Sequence, residues 1–253
     1  MNAKIKKGLL LTVWGILLCG VGLLLFFIQR HKRSQTCNTI EIHIENTENN
    51  HFVDSALVMD IIGGSRIIGE TIDSVNAGAV EALLENNPHV KNAEVFKEVD
   101  GSLNIRVWQK QALLRVFNTD GESFYIDEDD HTMPLSENYT ARVLVCNGNI
   151  TDKYIKCDTI GSSTLKTCCS IAHFVNKSVF WTSMIEQIFV SADNTISVIP
   201  KMGNGQVILG DGADLDEKFN KLYTFYKEAL PKVGWDKYKY IDASYKNQII
   251  AKK

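Results

Sequence analysis

Residues able to act as nucleophiles, proton carriers or metal ligands are scattered through this 253-residue chain, and their spacing works against chemistry. The six cysteines (19, 37, 146, 157, 168 and 169) contain no C-x-x-C pair, and the six histidines (31, 43, 51, 89, 131 and 173) contain no His-x-x-x-His pair, so neither has zinc-site spacing. A thiol hydrolase using Cys146 or Cys157 would need a histidine ordered beside it, and nothing in the sequence orders one. The acidic run Asp127-Glu128-Asp129-Asp130 lacks the spaced ligands and glycine of a calcium loop and is predicted to be a solvated turn. Asp211, Asp214 and Asp216 suit a loop leading into a helix N-terminus, where carboxylates are favoured. Gly203, Gly205, Gly210 and Gly212 lack the G-x-G-x-x-G spacing of a nucleotide cradle. No catalytic, cofactor-binding or metal residue is assigned, and a non-enzymatic protein without cofactor or small-molecule substrate is expected.

The elements that carry these residues begin with an apolar run. Residues 8–28 hold no charge and consist mainly of Leu, Val, Ile, Phe and Gly. As a helix they would reach roughly 30 Å, the thickness of a bilayer's hydrocarbon core. The run is too long for a cleaved signal peptide and ends in Gln29-Arg30-His31-Lys32-Arg33, so a single transmembrane helix is predicted. Lys4, Lys6 and Lys7 before the span nearly balance Arg30, Lys32 and Arg33 after it, which leaves the positive-inside rule close to a tie. Of 27 Lys and Arg these six flank the span, leaving 21 against all 30 Asp and Glu in the rest. A balance near minus nine argues against nucleic acid as a partner, while five of the six cysteines and no long basic stretch beyond the span suit an exported domain. The expected order is a cytoplasmic tail (1–7), the transmembrane helix (8–28), a linker (29–38) and two folded modules outside the cytoplasm.

The first module is predicted over 39–117 with the order strand, helix, helix, strand, strand. Ile40, Ile42 and Ile44 alternate as on a half-buried strand. Asp54 or Ser55 can cap a short helix that Gly63 and Gly64 stop, and Asp73 or Ser74 a second one carrying Val75, Ala79 and Leu83 before Pro88. A hairpin follows, turning on Asp100-Gly101 as a two-residue type I′ turn. The second module, 118–253, is predicted to be strand-rich with flanking helices. Strands are expected at 124–126, 139–145, 185–190, 195–199, 206–209, 239–241 and 245–250. A helix over 165–179 would carry Cys168, Ala172, Val175 and Val179 inward. A helix over 215–230 would carry Phe219, Leu222, Tyr226 and Leu230, with Asp214 and Glu217 forming a capping box.

The βααββ order after one predicted span, together with the runs Leu83 to Val95, Leu103 to Val107, Leu114 to Val116, Val207 to Gly210 and Tyr240 to Tyr245, resembles the bacterial cell-division family FtsQ/DivIB, in a Bacteroidetes-like form. Leu83-Leu84-Glu85-Asn86-Asn87-Pro88-His89-Val90-Lys91-Asn92-Ala93-Glu94-Val95 is similar to that family's L-x-x-x-P-x-V-x-x-A-x-V run. Leu103-Asn104-Ile105-Arg106-Val107, then Leu114-Arg115-Val116, resemble its L-x-I-x-V and A-R-V stretches. Val207-Ile208-Leu209-Gly210 and Tyr240-Ile241-Asp242-Ala243-Ser244-Tyr245 resemble its L-G and V-D-x-R-Y stretches. Ala112 stands where the family often has Pro, and Ala243-Ser244 where a hydrophobic-Arg pair is usual, so a role borrowed from that Arg has no residue here.

The resemblance implies an α+β architecture: one membrane span, a POTRA-like βααββ domain and a C-terminal β domain. It also implies a divisome scaffold in the bacterial inner membrane at the division septum, with a cytoplasmic N-terminus and periplasmic domains. Implied partners are division proteins of the FtsB/DivIC and FtsL type, docked by β-strand addition at the terminal strand. Tyr245, Asn247 and Gln248 are the partner-binding residues so implied. A POTRA-containing chaperone or translocation component is the alternative, although such proteins carry several POTRA units or a barrel and this sequence has one βααββ pattern.

Overall fold

A computed structural model of the chain describes residues 14–26, 35–48, 50–156, 159–203 and 205–253. The expected cytoplasmic tail, both ends of the predicted span and Cys157 lie outside the described residues. Helix α1 covers 14–26, and its large apolar side chains, among them Trp14, Leu18 and Phe26, are exposed. No helix among the described residues is long and apolar enough to cross a membrane.

The folded part divides into two units, each α+β. The first contains 53–108 together with the segment ending at Glu45. Its elements are β1 (Thr39–Glu45), α2 (Ser55–Ile62), the short α3 (Gly64–Ile67), α4 (Ala77–Glu85), β2 (Val90–Lys97) and β3 (Ser102–Gln109). The sheet order is β1-β3-β2, and β1 runs parallel to β3 with Ile40, Ile42 and Ile44 opposite Leu103, Ile105 and Val107. A parallel pair needs a long crossover, which the helices supply. Asp54 caps α2 as expected, its Oδ1 accepting the Leu57 N–H at 2.7 Å, and Gly63 in left-handed conformation ends it.

Two local expectations are corrected. Helix α4 is capped by Asn76, whose Oδ1 accepts the Ala79 N–H at 3.2 Å, and not by Asp73 or Ser74, which lie in a 3-10 turn. The shifted start turns Val80 and Leu84 inward and leaves Leu83 exposed. The β2–β3 turn is four residues, Glu98 to Gly101, closed by Gly101 N–H to Glu98 O (3.3 Å) and Glu98 N–H to Ser102 O (2.9 Å). Only Gly101 among them has positive φ (89°), which makes it a type I turn with a glycine bulge instead of the predicted I′. Asp100 stabilises the turn by accepting the Ser102 N–H and Oγ–H at 2.9 and 2.7 Å.

The second unit consists of 46–52 and 109–253. The contiguous module predicted over 39–117 is therefore corrected at two places. The β1–α2 connection belongs to the second unit: Phe52 lies edge-on to Tyr125 and Tyr139, and buried Gln109 accepts the Phe52 N–H at 3.0 Å while donating to Asn50 O at 2.8 Å. Strand β4 (Ala112–Phe117) also joins the second sheet, between β5 (Ser123–Asp127) and β7 (Leu144–Gly148), with β6 (Thr132–Met133) beyond β5. The boundary falls after Trp108, not after Phe117. The strand predicted at 139–145 is displaced to 144–148, because only there does the chain run beside β4.

The remaining elements are α5 (Ser163–Asn176), α6 (Val179–Met184), β8 (Ile185–Val190), β9 (Ile196–Pro200), β10 (Gln206–Gly210), α7 (Leu215–Thr224), a π turn (Phe225–Ala229), α8 (Leu230–Val233), β11 (Tyr240–Asp242) and β12 (Ile250–Lys252). The nine-stranded order is β12-β11-β10-β9-β8-β7-β4-β5-β6. The pairs β7/β8 and β10/β11 are parallel, so each requires a crossover, and α5–α6 and α7–α8 are those crossovers. Their apolar faces, with Cys168, Ile171, Val175, Phe219, Leu222, Tyr226 and Leu230, bury one sheet face in a single core. The stripe predicted on the last helix is the one observed. Val179 is exposed, because α5 ends at Asn176 and Val179 opens α6. The π turn ends two residues before Pro231, which cannot donate a helical hydrogen bond and crowds the turn before it.

Candidate functional site

Strand β12 forms one edge of the nine-stranded sheet and, among the described residues, pairs only with β11, antiparallel, Asp242 opposite Ile250 and Tyr240 opposite Lys252. Its other side carries main-chain groups without a strand partner among the described residues, which is the physical requirement for strand addition. The strand starts at Ile250, so the predicted strand over 245–250 is corrected. Tyr245, Asn247 and Gln248 occupy the connection between β11 and β12, where Lys246 and Asn247 form a turn and Asn247 adopts φ 60°. Two-fold alternation of faces does not apply to them. All three are exposed, and they lie immediately before the edge strand.

The connection is held by its own residues at the start and by α7 further on. Asp242 Oδ1 accepts the Ser244 N–H at 3.0 Å and its Oγ–H at 2.6 Å. Glu217 Oε1 accepts the Asn247 N–H at 3.1 Å, while Lys221 Nζ donates to the carbonyls of Tyr245 and, at 3.5 Å, Ala243. Glu217 and Lys221 are themselves 3.4 Å apart. The Asn247 N–H holds the Glu217 carboxyl below its ordinary pKa, with Lys221 and Lys246 adding to the effect. The capping box predicted for Asp214 and Glu217 does not form: Asp214 is left-handed (φ 50°) and makes no cap hydrogen bond. Asp211 is the organised carboxylate there, accepting the Ala213 N–H at 3.0 Å and pairing with Lys218 at 3.1 Å, and both lower its pKa. Sequence reasoning missed Lys221 and assigned Glu217 the wrong task. Their i, i+4 spacing was the available signal, but their targets lie 22 to 30 residues on.

The aromatic residues near the C-terminus divide between packing and surface. Trp235 packs on Tyr226 (5.9 Å) and Tyr238 on Phe225 (6.1 Å), whereas Tyr240 and Tyr245 are each 49% exposed. They are the apolar surface that β11 and the turn offer beside the edge.

Elsewhere the chemistry-bearing residues are engaged in structure. Asp127 is buried, pairs with Lys110 at 3.0 Å and accepts the N–H groups of Asp129 and His131 at 3.0 and 2.8 Å. Its acidic run is a turn organised around one buried carboxylate. No three His, Cys, Asp or Glu side chains among the described residues are grouped to hold a metal. Cys146 is buried with its thiol pushed well above its ordinary pKa, by hydrogen bonding with Cys168 first and burial second, the reverse of what a thiolate nucleophile needs.

Comparisons with known proteins agree with this architecture. Residues 35–108 match the POTRA-like domain family, which ends where the first unit ends. The cell division protein DivIB of Clostridium tetani is 24% identical over 194 residues, covering 74% of this chain and 70% of that protein. Residues 111–252, the nine-stranded unit from β4 through β12, match the family described as FtsQ/DivIB, C-terminal related. With more than half of its length matched by that family, and a POTRA-like unit before it, the chain belongs to the FtsQ/DivIB family of cell-division proteins.

Proposed function

We propose that this protein is a non-enzymatic, membrane-anchored scaffold of the divisome. Residues 8–28 hold it in the inner membrane, the tail is cytoplasmic, and both folded units lie outside the cytoplasm at the septum. The apolar sequence of 8–28 and the exposed apolar side chains of α1 support the anchor. The partners are division proteins of the FtsB/DivIC and FtsL type, one of which adds a strand beside β12 while Tyr245, Asn247 and Gln248 contact it from the adjoining turn. The observation that carries this reading is the position of β12 at the sheet edge in a chain of this family.

The test is capture of the extracytoplasmic segment of the same organism's DivIC-type protein by the full-length chain in detergent. Ala251→Pro removes a main-chain donor in the middle of β12 and is expected to abolish capture while the melting curve stays in place. Undiminished capture would place the interface elsewhere.

A further inference from the structure

We infer that Glu217 and Lys221 are positioning residues that set the β12 edge in its partner-receiving register, an inference that rests on the edge reading just proposed. Strand β12 has three residues and one neighbour, so the ladder with β11 is a small source of order. Its approach is a seven-residue reversal, 243–249, of which Tyr245 to Gln248 are exposed. Asn247 sits at φ 60°, a left-handed turn conformation that asparagine tolerates at small cost, and its N–H is held there from α7.

Those contacts come from two side chains one turn apart on α7. Glu217 takes the Asn247 N–H, Lys221 takes the carbonyls of Ala243 and Tyr245, and the two are paired with each other. All three groups held are main-chain groups. The clamp therefore fixes the path of the backbone and leaves the side chains of Tyr245, Asn247 and Gln248 free to contact a partner. Helix α7 is itself anchored in the core by Phe219 and Leu222, which makes it a rigid reference for the turn. A strand held in place before encounter is added to at a smaller ordering cost than one that must be ordered on binding.

Because Glu217 and Lys221 bond the turn and each other and are not part of the buried core, their loss is expected to loosen the edge without unfolding the sheet. Lys221→Met keeps the aliphatic stem and removes the donors; Glu217→Ala removes the acceptor. Each is expected to raise amide hydrogen exchange over 243–252 and to weaken capture of the DivIC-type segment about tenfold, with the melting midpoint unchanged. Lys221→Arg and Glu217→Gln, which retain a donor and an acceptor, are expected to restore most of both. Unchanged exchange over 243–252 in Lys221→Met and Glu217→Ala overturns the inference whatever the partner does. Raised exchange with undiminished capture also overturns it, and leaves the edge reading standing. Failure of the wild-type chain to capture the segment overturns the edge reading and the inference with it.

Discussion

Phe219 of α7 stacks on Phe174 of α5 with ring centroids 4.6 Å apart and planes 27° from parallel, joining the two crossover helices over the sheet. Trp181 meets Phe219 edge-on at 4.9 Å, so three aromatic rings from three helices share one contact. Phe219 is 1% exposed. Phe219→Ala is expected to destabilise the second unit by about 3–5 kcal/mol, the usual range for emptying a buried aromatic site. Urea unfolding followed by tryptophan fluorescence measures it, and a loss under about 1 kcal/mol would mean the helices do not pack this way.

The first unit has its own sensitive position. Gly101 has φ 89°, and a Cβ there would stand 2.7 Å from the Thr36 carbonyl oxygen. Gly101→Val combines a positive φ with a β-branched side chain and a steric clash, and is expected to destabilise this hairpin by at least about 1–3 kcal/mol. Faster amide exchange confined to β2 and β3 is the expected signature. Unaltered protection there would show that the turn has been drawn wrongly.

The buried thiols should be chemically silent. Cys146, Cys168 and Cys169 are each no more than 1% exposed, and burial pushes the Cys169 thiol far up, helped by Asp130 and Cys168. Native protein at pH 8 is expected to leave these three unmodified by iodoacetamide, while denatured, reduced protein modifies all three. Peptide mass mapping separates them from Cys37 and Cys157, and rapid native labelling of Cys146 would revive a nucleophilic role.

The Glu217–Asn247 contact predicts a pH dependence with a definite sign. The Glu217 carboxyl is held below 4.5 in the folded chain, principally by the Asn247 N–H, so the contact is fully present above the unfolded value near 4.5. It is lost as pH falls through the lower folded pKa. The Asn247 amide resonance should therefore titrate with a midpoint below the ordinary glutamate value. A midpoint at or above 4.5 would count against the hydrogen bond.

The proposed orientation of the anchor is tested directly. A reporter active only outside the cytoplasm is expected to work when fused after Lys253 and to be silent when inserted before Lys4. The reverse pattern would remove the extracytoplasmic placement of both units, since the near balance of flanking charge does not enforce it.

Local features were legible from local residues. The βααββ order, the Asp54 cap, the stop at Gly63 and the inward stripe of Phe219, Leu222, Tyr226 and Leu230 each depend on periodicity or on a side chain reaching its own backbone a few residues away. Sequence alone did not decide which sheet β4 enters, since Leu113, Leu114 and Val116 satisfy either core; pairing with β5 and β7 decided it. Nor did it decide the phase of α4, where Ala79 and Leu83 fit the same spacing as Val80 and Leu84 until Asn76 capped the helix. Tyr245 to Ile249 fall within the strand predicted over 245–250, yet they form the turn that returns the chain antiparallel to β11, and Glu217 and Lys221 reach them across thirty and twenty-four residues. Contacts of that separation have no period in sequence, and only the packing of α7 against the sheet brings the two ends together.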